Sequence, residues 1–170
     1  MLLVSSYLKL NSPLNGNVGT SINIIAEKIG YKPDNHKNKI NDKIKETLTL
    51  LIDQKDIFIE SRLFWSNKTK WIQKDILLSD LKATECIVVH INEDSKLFYT
   101  DDQYVVLTET EFLTIVQSAT KTRIDREEIL NVYLNIKKFM NFDKNSVPLC
   151  YPSHTILCRD CSISSTGALS

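Results

Sequence analysis

Between Ile40 and Leu51 the apolar residues Ile40, Ile44, Leu48 and Leu51 step by four, four and three, which draws a single stripe along a helix over 36–54. At about 100° per residue, the opposite face carries Asn38, Asn41, Asp42, Lys45 and Thr49, with Lys37, Lys39 and Lys43 beside it. Upstream, Ile22, Ile25, Ala26 and Ile29 recur at helical spacing after Thr20, a residue type that caps helices. Gly30 is the natural stop of that helix. Residues 31–35, "YKPDN", form a turn, because Pro33 disfavours helix at Lys32. The pattern over 20–54 is therefore helix, glycine turn, longer helix.

On either side of this pair the periodicity changes. Residues 2–9 are mostly apolar and suit a buried first helix, and 11–19 hold Pro13, Gly16 and Gly19 and read as a loop. Residues 56–65 and 69–78 are β-branched and aromatic runs around the polar turn 66–69, "SNKT", and predict a hairpin. A hairpin directly after a helix-turn-helix is a wing, so residues 1–78 are expected to form a winged-helix domain. Residues 85–91 and 96–108 predict a second strand–turn–strand unit. Thr108 and Glu111 have capping-box spacing at the start of a helix reaching about 119. Ile129, Val132, Tyr133, Ile136 and Met140 mark a further helix over 124–142.

The end of the chain repeats the first motif. Residues 156–164, "ILCRDCSIS", align with 24–32, "IIAEKIGYK", with Cys158 in the small slot of Ala26 and Ser162 at the turn position of Gly30. This predicts a second helix-turn-helix that has only begun at Ser170, as in a truncated or vestigial repeat. The expected architecture is α+β and helix-rich: a winged helix over 1–78, an acidic strand-strand-helix connector over 79–122, and an incomplete helix-turn-helix over 123–170.

Composition narrows the class. With 42 % hydrophobic and 25 % charged residues the chain is that of a globular protein, and 170 residues bury one ordinary core or two small ones. The formal net charge is +0, but the charge is unevenly spread. From Tyr31 to Ile76 there are ten Lys/Arg against seven acids; from Ser79 to Phe112 there are eight acids against Lys82 and Lys96. A local basic field steers DNA even when the sum vanishes. No apolar run approaches the roughly 18–20 residues of a membrane span, and no basic n-region follows Met1, so a cytoplasmic protein without a membrane partner is expected.

The candidate chemistry follows from the 36–54 helix. In the major groove Asn bonds adenine bidentately, Lys reaches guanine or phosphate, and Asp accepts from cytosine. The expected DNA contacts are Lys37, Asn38, Lys39, Asn41, Asp42 and Lys45, with Asn67, Lys68 and Lys70 of the hairpin tip on the backbone or minor groove. The competing reading is a solvated helix face and a basic turn that keeps a sheet edge soluble. Trp65 and Trp71 are expected to pack the hairpin on the core. Cys150, His154, Cys158 and Cys161 include a ligand-like Cys-x-x-Cys spacing, yet both of its cysteines fall in one predicted helix with no Gly or Pro between them, so no zinc site is assigned. Cys86 is expected in the core. No Gly-rich phosphate loop, Gly-x-Ser-x-Gly or His-Glu-x-x-His motif occurs, so neither an active site nor a cofactor is assigned.

Residues 20–48 and 151–164, "YPSHTILCRDCSIS", together resemble the winged-helix replication initiators and replisome organisers of low-GC Gram-positive plasmids and phages. Pro152–Ser153 and Leu157–Cys158 fall where such proteins carry Pro-Ser and Leu-Ala. The resemblance implies binding of double-stranded origin or operator DNA, often as a homodimer, with recruitment of other replication proteins. A transcriptional regulator with the same chemistry and a protein-interaction adaptor are the two rival readings.

Overall fold

The computed structural model describes residues 2–12, 16–32, 39–62, 73–74, 78–92, 95, 105–118, 125–140, 156 and 161. Two compact units divide the chain, one over Leu3–Phe98 and the other over Tyr99–Ser170. The division falls about twenty residues beyond the expected boundary at 78, for a reason that lies in the sheet.

In the first unit, helix α1 spans Leu2–Leu10, and every residue from Leu3 to Leu8 is buried, Ser5 and Ser6 included. Six successive buried residues cover all sides of a helix, so α1 is packed all round. Strand β1, Asn17–Thr20, lies where the sequence suggests a loop. It is short and glycine-containing, but Val18 and Thr20 alternate inward and are buried. Gly16 enters it at φ 72; a Cβ there would stand 3.1 Å from the Ile91 carbonyl oxygen. The Tyr7 hydroxyl lies 3.3 Å from Thr20 Oγ1 and ties α1 to β1.

Helix α2 spans Ile22–Lys28 and is capped by Ser21, whose Oγ accepts from the Ile24 N–H at 3.2 Å. Thr20, the expected cap, is instead the last residue of β1. The helix ends as the sequence predicts. Gly30 takes φ 88, its N–H donates to the Glu27 carbonyl, and the Tyr31 N–H donates to the Ala26 carbonyl, both at 2.9 Å. This pair of bonds around a left-handed residue satisfies two carbonyls that the helix leaves open. Helix α3 spans Lys39–Asp53, and Ile44, Leu48 and Leu51 are 0–1 % exposed on the predicted stripe. It ends in the same bonding pattern, from the Lys55 N–H to the Ile52 carbonyl and from the Asp56 N–H to the Leu51 carbonyl, but Lys55 holds the left-handed position at φ 61.

Strands β2 (Ile57–Arg62), β3 (Gln73–Lys74) and β4 (Ile87–Ile91) complete an antiparallel sheet in the order β1-β4-β2-β3. The predicted hairpin is present at its base, where Ser61 and Arg62 pair with Lys74 and Gln73; residues 63–72 lie outside the described residues. The strand expected in a separate connector, β4, pairs with both β1 and β2 and is the middle of this sheet. That pairing carries the first unit past residue 90. Val18, Ile57, Ile87 and Val89 form the buried inner face. Cys86 precedes β4 and is exposed, not in the core as expected.

In the second unit, helices α4 (Glu109–Ser118) and α5 (Arg126–Lys138) fall within the predicted ranges. The Thr108 capping box forms: Thr108 Oγ1 accepts from the Glu111 N–H at 3.3 Å, and Glu111 Oε2 accepts from the Thr108 N–H at 2.8 Å. Asp125 caps α5, its carboxylate accepting from the Glu127 N–H at 2.8 Å. The buried residue of α5 is Leu130, which the predicted stripe does not include; Ile129, Val132, Tyr133, Ile136 and Met140 are half-buried. The expected second helix-turn-helix lies outside the described residues except for Ile156, which is helical, and Cys161. Cys161 is buried, and its carbonyl accepts from Asn131 Nδ2 at 3.1 Å. Among the described residues no helix is long and apolar enough to cross a membrane.

Candidate nucleic-acid interface

Helix α3 is oriented by what it buries. Ile44, Leu48 and Leu51 face inward with Thr47 beside them, and burial of each aliphatic side chain contributes roughly 1.5–3 kcal/mol. The exposed arc is Lys39, Asp42, Lys43, Glu46, Thr49, Leu50 and Asp53. Two cations, Lys39 and Lys43, and two anions, Asp42 and Glu46, therefore alternate over its first turns. Asp42, in the opening turn, sits near the positive end of the helix dipole, which favours its charge.

Of the predicted contact residues, Lys39 and Asp42 are on this arc. Asn41 and Lys45 are not on the far face but on its flank, where both are half-buried. The side-chain oxygen of Asn41 is buried and makes no hydrogen bond. Lys45 Nζ donates to the Ser79 carbonyl at 3.2 Å. The reason is angular: residues 41 and 45 lie some 65–105° from the centre of the apolar stripe, at its margin, which leaves them against neighbouring protein. Lys37, Asn38, Asn67, Lys68 and Lys70 lie outside the described residues. Lys43, expected beside that face, lies fully on the exposed arc.

A second polar group lies on the outer face of the sheet. In one cross-strand row, Asn17, His90 and Phe58 stand side by side. His90 Nδ1 shares a 2.6 Å hydrogen bond with Asn17 Oδ1, and its ring stacks on Phe58 with centroids 4.2 Å apart and planes 3° from parallel. Glu60 Oε2 lies 3.3 Å from His90 Nε2, at an angle that makes no hydrogen bond. This row braces three strands against one another, and Phe58 remains 49 % exposed.

In the second unit one carboxylate gathers four donors. Glu111 Oε1 accepts from the Tyr133 hydroxyl and from Lys137 Nζ, each at 2.6 Å, and Oε2 accepts from the Thr108 N–H at 2.8 Å and hydroxyl at 3.0 Å. Burial by itself raises the Glu111 pKa, but the bonds from Lys137, Tyr133 and Thr108 outweigh it and hold the carboxyl at about 2. Burial, the bond to Glu111 and its charge push Tyr133 up to about 12. The cluster locks α4 to α5.

Among the described residues no group of three His, Cys, Asp or Glu side chains could hold a metal ion; Cys150, His154 and Cys158 lie outside them. Comparison with protein-family models, with curated proteins and with solved structures finds no match.

Proposed function

We propose that this chain binds double-stranded DNA, with α2, the turn at Gly30 and α3 acting as a helix-turn-helix and the β2–β3 hairpin as its wing. The observation that carries this reading is the orientation of α3. Its apolar stripe is consumed by the core, and its first turns, just after the chain is turned at Gly30, present Lys39, Asp42, Lys43 and Glu46 to solvent. A helix presented by its N-terminal half is what major-groove reading requires. Lys39 and Lys43 supply phosphate or guanine contacts, and Asp42 and Glu46 accept from cytosine. The acids reject mismatched phosphate geometry and lower non-specific affinity. A role in replication initiation, dimerisation and recruitment of replication proteins rests on the resemblance of residues 20–48 and 151–164; a transcriptional regulator would use the same contacts.

Selection of bound sequences from a random duplex pool tests the proposal. The expected result is an enriched motif whose affinity falls linearly on a log–log plot against salt. Loss of the motif is expected on changing Asp42 and Lys43 to Ala, at roughly 1–3 kcal/mol per specific contact. A second reading, docking of a protein partner on α3, has one observation in its favour: Leu50 is 49 % exposed on the same arc. Leu50→Ala leaves DNA affinity unchanged under the first reading and abolishes partner capture under the second.

A further inference from the structure

We infer that Lys45 is a positioning residue of α3 that acts through its contact with Ser79 rather than through DNA. The inference rests on the DNA-binding reading above. Three observations support it. Lys45 lies on the half-buried flank of α3, and its ammonium donates to the Ser79 carbonyl at 3.2 Å, in the 78–80 turn that follows β3. One helical turn earlier on the same flank, the Asn41 side-chain oxygen is buried, so this side of the helix is closed by protein. The far end of α3 is held separately. The Lys55 carbonyl accepts from Asn92 Nδ2, the Asp56 carbonyl accepts from the Asn92 N–H at 2.9 Å, and the Asp56 carboxylate accepts from Ser95 Oγ at 2.8 Å.

The two tethers are not equivalent. The one at Asn92 fixes the C-terminal end of α3 to the end of β4. The aliphatic stripe seats α3 on the core, with Ile44 buried in its N-terminal half, and a polar contact beside that stripe sets the angle at which the helix sits. Lys45 is the tether nearer the N-terminal half, which is the half proposed to enter the groove. An ammonium at that point fixes the helix angle against the 78–80 turn. Small misplacements of contact groups are costly when several must meet bases at once.

The test is duplex binding by the full chain as a function of salt, using the sequence selected from the random pool. Lys45→Met keeps the aliphatic stem and removes the ammonium; Lys45→Arg keeps donors within reach of the carbonyl. A positioning role predicts that Lys45→Met weakens binding roughly 2- to 10-fold, the weight of one such hydrogen bond. The log–log salt slope stays that of the parent chain, and Lys45→Arg restores affinity. A slope reduced by about one marks a phosphate contact and overturns the inference while leaving the DNA reading intact. Unchanged affinity and slope in Lys45→Met, with only thermal stability lowered, also overturns it. Failure of the parent chain to bind any duplex at low salt overturns the DNA reading first, and the positioning role with it.

Discussion

Replacing Glu111 by Gln removes the charge that Tyr133, Lys137 and Thr108 converge on, with little change of shape. The magnitude follows from how far that carboxyl is held below its ordinary value. A displacement from 4.5 to about 2 corresponds to roughly 3 kcal/mol at about 1.4 kcal/mol per unit. The Glu111 side chain is 29 % exposed, so solvent screening reduces the usable part to about 1–2 kcal/mol. The folded pKa is the lower one. The stabilisation is therefore fully present above pH 4.5 and is lost as pH falls toward 2. Because the chain has two units, a single denaturation curve mixes them, and amide hydrogen exchange in 109–118 and 126–138 reads the right one. At pH 7 the Glu111→Gln chain loses protection in both helices by about 1–2 kcal/mol, and at pH 3 the gap between the two chains narrows by more than half. Equal protection at pH 7, or a gap that widens on acidification, would refute the argument that the ionised carboxylate locks α4 to α5.

Other expectations follow from single positions. Lys55 holds a left-handed backbone at φ 61, so Lys55→Gly raises the stability of the first unit by about 0.5 kcal/mol in urea titration followed by Trp fluorescence. Gly30 at φ 88 predicts the opposite sign: Gly30→Ala costs about 1 kcal/mol in the same titration. Leu48 is fully buried, and Leu48→Ala costs roughly 2–5 kcal/mol, with loss of DNA affinity only at temperatures where the variant unfolds. Tyr133, pushed up to about 12, contributes stability that is complete below pH 10 and disappears between pH 10 and 12; Tyr133→Phe abolishes that alkaline dependence in α4–α5 exchange.

The helices were readable because each announces itself locally. A four-four-three stripe, a glycine stop at Gly30 and a Thr-x-x-Glu box at Thr108 all belong to short stretches, and the structure has each of them. The sheet was not readable in the same way. Strand β1 is four residues with a glycine inside it, and its stability comes from pairing with β4 some seventy residues later. No local pattern carries that information. The misplacement of β4 into a connector has the same origin: its alternation marks a strand but not its partners. At the candidate interface, the helical wheel located the arc of α3 but not its edges. On a bare cylinder Asn41 and Lys45 stand at the margin of the stripe, and they lie against the protein because other chain segments, the 78–80 turn among them, cover that margin. Lys43 carries the same signal as Lys39 and was separable from Lys45 only once those neighbours were in place.

The most direct measurement is equilibrium binding of the full chain to a random duplex pool at low salt, followed by the salt dependence of the selected sequence with and without Lys39→Ala and Lys43→Ala. Binding is expected, with a negative log–log slope that loses about one unit per lysine that contacts phosphate. Absence of binding to every duplex at low salt, or a slope indifferent to both lysines, would contradict the DNA-binding reading.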